Sequence, residues 1–149
     1  MKASIRRLDK SEFSSWKDLW DQYLVFYETA LPEEHSRTLF ERITDQEDRV
    51  EALVAEIDGD LVGLVHFLPH DDTWDRRKIC YLQDLFVNPS QRGHGIGESL
   101  IASVRSYAGQ QGWSGVYWQT ADDNTQARIL YDKIAGSASG FIVYNIDVV

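Results

Sequence analysis

The sequence predicts a single α/β domain over residues 1–149, built on a mixed, mostly antiparallel twisted sheet flanked by helices. Three observations carry this expectation. Apolar residues recur at three- and four-residue steps in the first third of the chain, then switch to strand-like runs near Val50. A tight turn, Asp58-Gly59-Asp60, joins two of those runs into a hairpin. Further on, strand and helix patterns alternate around a glycine-rich turn, which calls for a crossover connection.

Each element has its own signal. Ile5 to Leu8 is a short strand, and Asp9 or Ser11 caps the helix that follows. In that helix Phe13, Trp16, Trp20, Tyr23 and Tyr27 form one aromatic stripe. Pro32 starts a second helix, with Leu39, Phe40 and Ile43 on its apolar face. Val50 to Ile57 and Leu61 to Leu68 are the hairpin strands, and Pro69 to Lys78 is a charged loop. Ile79 to Val87 is a strand stopped by Asn88-Pro89. After the glycines, Ile96, Leu100, Ile101, Val104, Tyr107 and Ala108 make the buried stripe of a helix that ends over Gly109 to Gly112. Gly115 to Thr120 is a strand. Asp122, Asp123 or Asn124 caps a last helix carrying Ala127, Leu130, Tyr131 and Ile134 on one face, and Phe141 to Val148 is a final strand.

Composition narrows the function classes. With 149 residues, 43% hydrophobic and 26% charged, the chain is an ordinary globular domain. The lone Cys80 excludes an intrachain disulfide and a cysteine-built zinc site, and no metal is expected. No stretch reaches the ~18 apolar residues of a membrane span, and the N-terminus lacks a signal-peptide core. A cytoplasmic protein without a membrane partner is expected. The net charge is −9, and residues 1–60 carry 8 Lys/Arg against 15 Asp/Glu, a net −7. That surface disfavours nucleic acid, whose affinity comes largely from neutralised phosphates, and steers in cations.

The strand, glycine turn and helix around Arg92-Gly93-His94-Gly95-Ile96-Gly97 form a recipe for binding phosphate. The first N–H groups of a helix lack internal partners and lie at its positive end. Glycine lets the backbone approach an anion because no Cβ intervenes, and Arg92 adds a cationic fork. A P-loop would need Lys after the last glycine, where Glu98 stands. A dinucleotide loop would need glycine at Glu98 or Leu100. A plain strand-to-helix turn is the remaining alternative, but its geometry needs no such run of glycines. What matches is R-x-x-G-x-G, written in Arg92, Gly95 and Gly97.

With the runs YLQDLFVNPSQRGHGIGESL and YWQTADDNTQARILYDK, and the GF near the end, the chain resembles the GNAT family of acetyl-CoA-dependent N-acetyltransferases. Within the family it looks most like the branch that acetylates histones, polyamines and small amines. The resemblance implies transfer of acetyl from acetyl-CoA to a primary amine by direct attack in a ternary complex, in a homodimer. The alternative is a non-catalytic acyl-CoA-binding or regulatory module of the same fold. The resemblance further implies that Leu85, Phe86 and Val87 bind the pantetheine arm through their backbone, where the strand splays from its neighbour at a bulge. Arg92, Gly93, His94, Gly95, Ile96, Gly97 and Glu98 would hold the pyrophosphate. Asn124 would open the last helix near the coenzyme, and Tyr131 would be the acid for the departing thiolate. Asn124 and Tyr131 lie seven residues apart, on one helical face; a core tyrosine is the other reading of Tyr131.

The base is less defined. The spermidine/spermine-type enzymes carry Glu where this chain has Gln83, which cannot take a proton. Asp84 is adjacent, but successive strand side chains face opposite ways unless a bulge re-aims one. It is a base or a structural carboxylate. Tyr27 and Glu28 match a Tyr-Glu pair on the acceptor side of that branch, and with Gln83, Trp118 and Gln119 they are the candidates for the acceptor site. His66 is expected to be a structural or surface residue, and Cys80 a buried inert thiol.

Overall fold

In a computed structural model, residues 2–148 are described. They fall into two compact units, Met1–Trp118 and Gln119–Val149. The first holds a five-stranded sheet in the order β1-β2-β3-β4-β5. Its elements are β1 (Ser4–Arg7), α1 (Phe13–Phe26), α2 (Glu33–Thr44), β2 (Glu51–Ile57), β3 (Asp60–His70), β4 (Ile79–Val87), a 3-10 turn (Pro89–Gln91), α3 (Ile96–Gln111) and β5 (Val116–Tyr117). The pairings from β1 to β4 are antiparallel, and β4 with β5 is parallel. The second unit holds α4 (Thr125–Ala135). Among the described residues no helix is long and apolar enough to cross a membrane.

The β2–β3 turn has positive φ at both Asp58 (51°) and Gly59 (86°). That is the primed geometry that matches strand twist, and Asp-Gly suits it. β3 is buried almost without a break from Val62 to Phe67, so it has helices on both faces. On one face α1 lays down Trp16, Leu19, Trp20 and Leu24, packed with Phe40 and Ile43 of α2 and with Val54, Leu64 and Phe86 of the sheet. The rings of the stripe stack in sequence, Trp16 on Trp20 at 5.8 Å and Trp20 on Tyr23 at 5.4 Å. On the other face α3 buries Ile96, Leu100, Ile101, Val104 and Ala108. There Gly63 lets the helix come close: a Cβ on it would meet Leu100 Cδ1 at 3.2 Å and Phe86 O at 3.3 Å.

Several expected boundaries are corrected. Neither Asp9 nor Ser11 caps α1. Asp9 instead accepts from the Ser11 amide in a turn before the helix. β3 runs through Pro69 to His70, because β2 pairing ends at Phe67 and a proline beyond it breaks no bond to that neighbour. The end of α3 falls within the expected Gly109 to Gly112 stretch, at Gly112, which takes the left-handed conformation (φ 77°) that a side chain resists. The strand expected over Gly115 to Thr120 is only Val116–Tyr117. Phe141 to Val148 forms no strand, since no described segment offers it a ladder. Its apolar side chains are exposed.

Candidate active site

The site grows from an irregularity in β4. Along the β3–β4 ladder Gly63 pairs Val87 and His66 pairs Asp84, but Phe67 pairs Leu82, so Gln83 is one residue too many. This bulge is the feature the sequence could not locate. It flips the alternation of β4. Cys80 and Leu82 lie on the Phe67 face, toward α3, whereas Asp84 and Phe86 lie on the His66 and Leu64 face, toward α1. In a regular ladder Gln83 would pair His66, and Asp84 would share the face of Cys80 and Leu82.

The re-aimed Asp84 meets two side chains that lie far from it in sequence, and a third stands behind one of them. Tyr23 on α1 donates its hydroxyl to Asp84 Oδ1 at 2.7 Å. His66 Nδ1 lies 2.9 Å from Asp84 Oδ2. The indole N–H of Trp16 donates to His66 Nε2 at 3.1 Å. An indole nitrogen can only donate, so Nε2 is the acceptor and Nδ1 carries the proton that it gives to Asp84. Each Asp84 oxygen thus has one donor. His66 is 2% exposed, and the Asp84 side chain keeps 14% of its surface in solvent. Burial, and then the charge of Asp84, push the Tyr23 phenol above its ordinary range, so it stays a donor.

β4 also presents an open edge. β5 pairs it only at Cys80 and Tyr81. From Leu82 to Val87 no described strand lies beside it on that edge. The Asn88 amide donates to Val62 O on β3. Antiparallel ladders alternate, so Phe86 and Asp84 also turn their amides toward β3. Leu85 and Val87 therefore turn theirs to the open edge. Arg92 marks this geometry: its Nε donates to Val87 O at 3.1 Å, and its guanidinium lies 5.4 Å from the Phe86 ring centre.

The open edge ends at the glycine loop. Gly93 (φ 85°) and Gly95 (φ 75°) are left-handed, and nothing lies within 4 Å of a Cβ at either. Conformation, rather than lack of room in the protein, therefore demands glycine there. Gly95 is the N-cap of α3 and offers no side chain, so no side chain caps that helix. His94 is exposed and points Nδ1 at Gln91 O, 3.1 Å away. Ile96 is buried, Gly97 and Glu98 half-buried. An uncapped helix start behind left-handed glycines, continuous with open strand amides, fits an elongated ligand with a phosphate group.

The acceptor-side candidates are more scattered. Tyr27 is the C-cap of α1, half-exposed, with its ring 5.0 Å from Tyr23. Glu28 follows with φ 55°. Its neighbour Thr29 donates back to Leu24 O, a helix ending that usually takes glycine at this place. Gln83 is exposed at the bulge. Trp118 and Gln119 lie beyond β5 rather than on it, and they fall in different units. In the second unit, Asn124 caps α4 by accepting from the Ala127 amide, and Tyr131 is half-buried on the same face as Ala127, Leu130 and Ile134. Cys80 is fully buried, and burial pushes its thiol up to about 12, as befits an inert side chain.

Sequence reasoning missed His66 and Tyr23 as members of the site. One signal for His66 was available: a lone polar residue inside the buried run Val62 to Phe67 must find partners.

These features describe an α/β protein whose opened sheet edge runs into an uncapped helix start. Residues 16–136 match the Acetyltransferase (GNAT) family, and the chain belongs to that family. It is 33% identical over 133 residues to the D-amino-acid N-acetyltransferase HPA3 of Saccharomyces cerevisiae, covering 88% of this chain and 83% of that one. It is 30% identical over 146 residues to the uncharacterized N-acetyltransferase YhfO of Bacillus subtilis, covering 97% of each. The fold superposes on AAC(6')-Iy in complex with a bisubstrate analogue, CoA-S-monomethyl-acetylneamine, with a TM-score of 0.87, 22% identity and full coverage of both chains. The chain is thus an acetyltransferase, and acetyl-CoA as its donor follows from the family.

Proposed function

We propose that this enzyme acetylates a primary amine that is cationic in solution: a polyamine, a lysine side chain or a small amino compound. In this reading it stands with the histone, polyamine and small-amine branch of the family, and the amine attacks acetyl-CoA directly in a ternary complex. The observation that carries the donor side is the open β4 edge running into the left-handed glycines before α3. Leu85 and Val87 amides follow the pantetheine arm beside Phe86. Arg92 and the backbone of Gly93 to Glu98 take the pyrophosphate. The relative that acts on D-amino acids supports the small amino compound among the acceptors.

The ammonium loses a proton to the Asp84 carboxylate, directly or through water. The freed lone pair forms the N–C bond to the thioester carbonyl, whose oxyanion is stabilised by a strand amide. The C–S bond then breaks, the thiolate receives a proton from Tyr131, and the amide nitrogen gives up its second proton to restore the phenol. Asn124 opens the helix that bears Tyr131. These two roles are carried over from the family motif. Tyr131→Phe is expected to keep coenzyme affinity and lower kcat at least tenfold, about 1.4 kcal/mol or more. Unchanged turnover would remove Tyr131 as the acid.

On the acceptor side, Tyr27, Glu28, Gln83, Trp118 and Gln119 recognise the amine, with Glu28 binding its charge. Glu28 supports this through its backbone. A left-handed non-glycine residue costs ~1–2 kcal/mol, a cost most often met at functional sites. Glu28→Gly is expected to stabilise the fold by about 0.5–1 kcal/mol, after the added freedom of the unfolded chain is subtracted, and to raise KM for cationic amines. Urea midpoints and KM measurements check both halves. The exposed apolar side chains from Phe141 to Val148 support a homodimer that covers them, which light scattering tests. The central test is release of free thiol from acetyl-CoA across a panel of polyamines, lysine peptides, amino acids and aminoglycosides. Tight coenzyme binding with no thiol released from any amine would overturn the assignment.

A further inference from the structure

We infer that His66 is a positioning residue, which Trp16 locks in one tautomer so that it holds the Asp84 carboxylate oriented to receive the amine's proton. The inference rests on the reading of Asp84 as that proton acceptor. Three observations carry it. The Gln83 bulge turns Asp84 out of the regular alternation and onto His66. The chain of bonds Trp16 to His66 to Asp84 has a fixed direction, because its first donor cannot accept. His66 is sealed from solvent while Asp84 is not.

The same direction of bonding limits what His66 can do. A proton that reached Nδ1 from Asp84 would find no exit, since Nε2 already faces an N–H. Nor can the ring become imidazolium without setting two N–H groups against each other. His66 is therefore not a relay. It keeps one Asp84 oxygen satisfied while Tyr23 satisfies the other, and the partial exposure of Asp84 leaves a path for the incoming proton.

The ionisable groups around the pair are few. Asp84 is faced by Tyr23 from α1, by His66 from β3 and by Tyr81 from its own strand. His66 is faced by the rings of Trp16 and Trp20 from α1, while β2 sets Ala52 beside it. Tyr23 and Tyr81 are both held above the ordinary phenol range, chiefly by burial.

The test compares pH profiles of kcat/KM for the best amine of the panel in wild type, Asp84→Asn, His66→Phe and His66→Asn. Phenylalanine keeps the ring volume and loses the donor. Asparagine loses volume and can keep an N–H near the Nδ1 position. His66→Phe is expected to lower kcat about tenfold and to move the acidic limb to higher pH, because a carboxylate without its donor protonates more readily. His66→Asn is expected to bring the limb back toward wild type. A purely structural role predicts the reverse order, with Phe the better substitute. If Asp84→Asn is impaired but His66→Phe keeps the wild-type profile, the role of His66 is overturned and that of Asp84 stands. If Asp84→Asn is itself as active as wild type, the underlying reading fails. Should the variants not fold, nitrogen-15 NMR of the wild-type imidazole decides: Nδ1–H from pH 6 to 9 is expected, and an Nε2–H tautomer or an imidazolium at pH 7 overturns the inference.

Discussion

Gly95→Val is expected to weaken binding of acetyl-CoA about 100-fold while the protein stays folded. Gly95 is at φ 75°, and no atom lies within 4 Å of a Cβ built there. Valine therefore meets no clash in the protein itself. It meets a conformational cost of ~1–2 kcal/mol for holding a left-handed backbone. If the loop relaxes instead, the amides that open α3 move off the pyrophosphate, and a hydrogen bond to a charged group is worth ~1.5–3 kcal/mol. The upper end of that range, about 3 kcal/mol, is about 100-fold in Kd. Gly95→Asn separates the two causes, because asparagine tolerates the left-handed region; its loss should be smaller and reports the added side chain alone. Calorimetric titration of coenzyme A reads the affinity, and thermal unfolding checks the fold. An unchanged Kd in the valine variant would remove the loop as the pyrophosphate site.

What the sequence revealed and what it hid differ in range. The aromatic stripe of α1, the Asp-Gly hairpin, the β4 strand and the uncapped start of α3 are local patterns that form where their residues predict, and of the three candidate caps for α4 it is Asn124 that serves. The Gln83 bulge is a property of two strands in register, so β4 alone cannot announce it. The partners of Asp84 lie 18 residues away at His66 and 61 away at Tyr23, and only the packing of α1 across β3 and β4 brings them together. The left-handed Glu28 was hidden for another reason: local rules favour glycine at that place in a helix ending, and this chain departs from them. The strand expected over Phe141 to Val148 failed because β-propensity describes fitness for a ladder and cannot supply the neighbouring strand.

Trp16→Ala is expected to cost about 3–5 kcal/mol of stability, a large share of the ~5–15 kcal/mol that domains possess. Trp16 is fully buried. It stacks on Trp20, contacts the rings of Phe13 and Phe40, and donates to His66. Its removal opens a cavity between α1 and the sheet and leaves Nε2 of His66 buried without its donor. The neighbouring Trp20 provides the internal comparison. It is nearly as buried, but its indole N–H has no hydrogen-bond partner. Phenylalanine removes a similar volume at either position, and only at Trp16 does it also break a hydrogen bond. Trp16→Phe should therefore lower the urea midpoint more than Trp20→Phe, by about 1–2 kcal/mol when converted to free energy. Equal losses would mean that the Trp16–His66 bond contributes nothing to the fold. The expected inequality would instead show that the bond fixing the His66 tautomer also holds α1 to β3, so that core packing and the orientation of Asp84 depend on the same indole N–H.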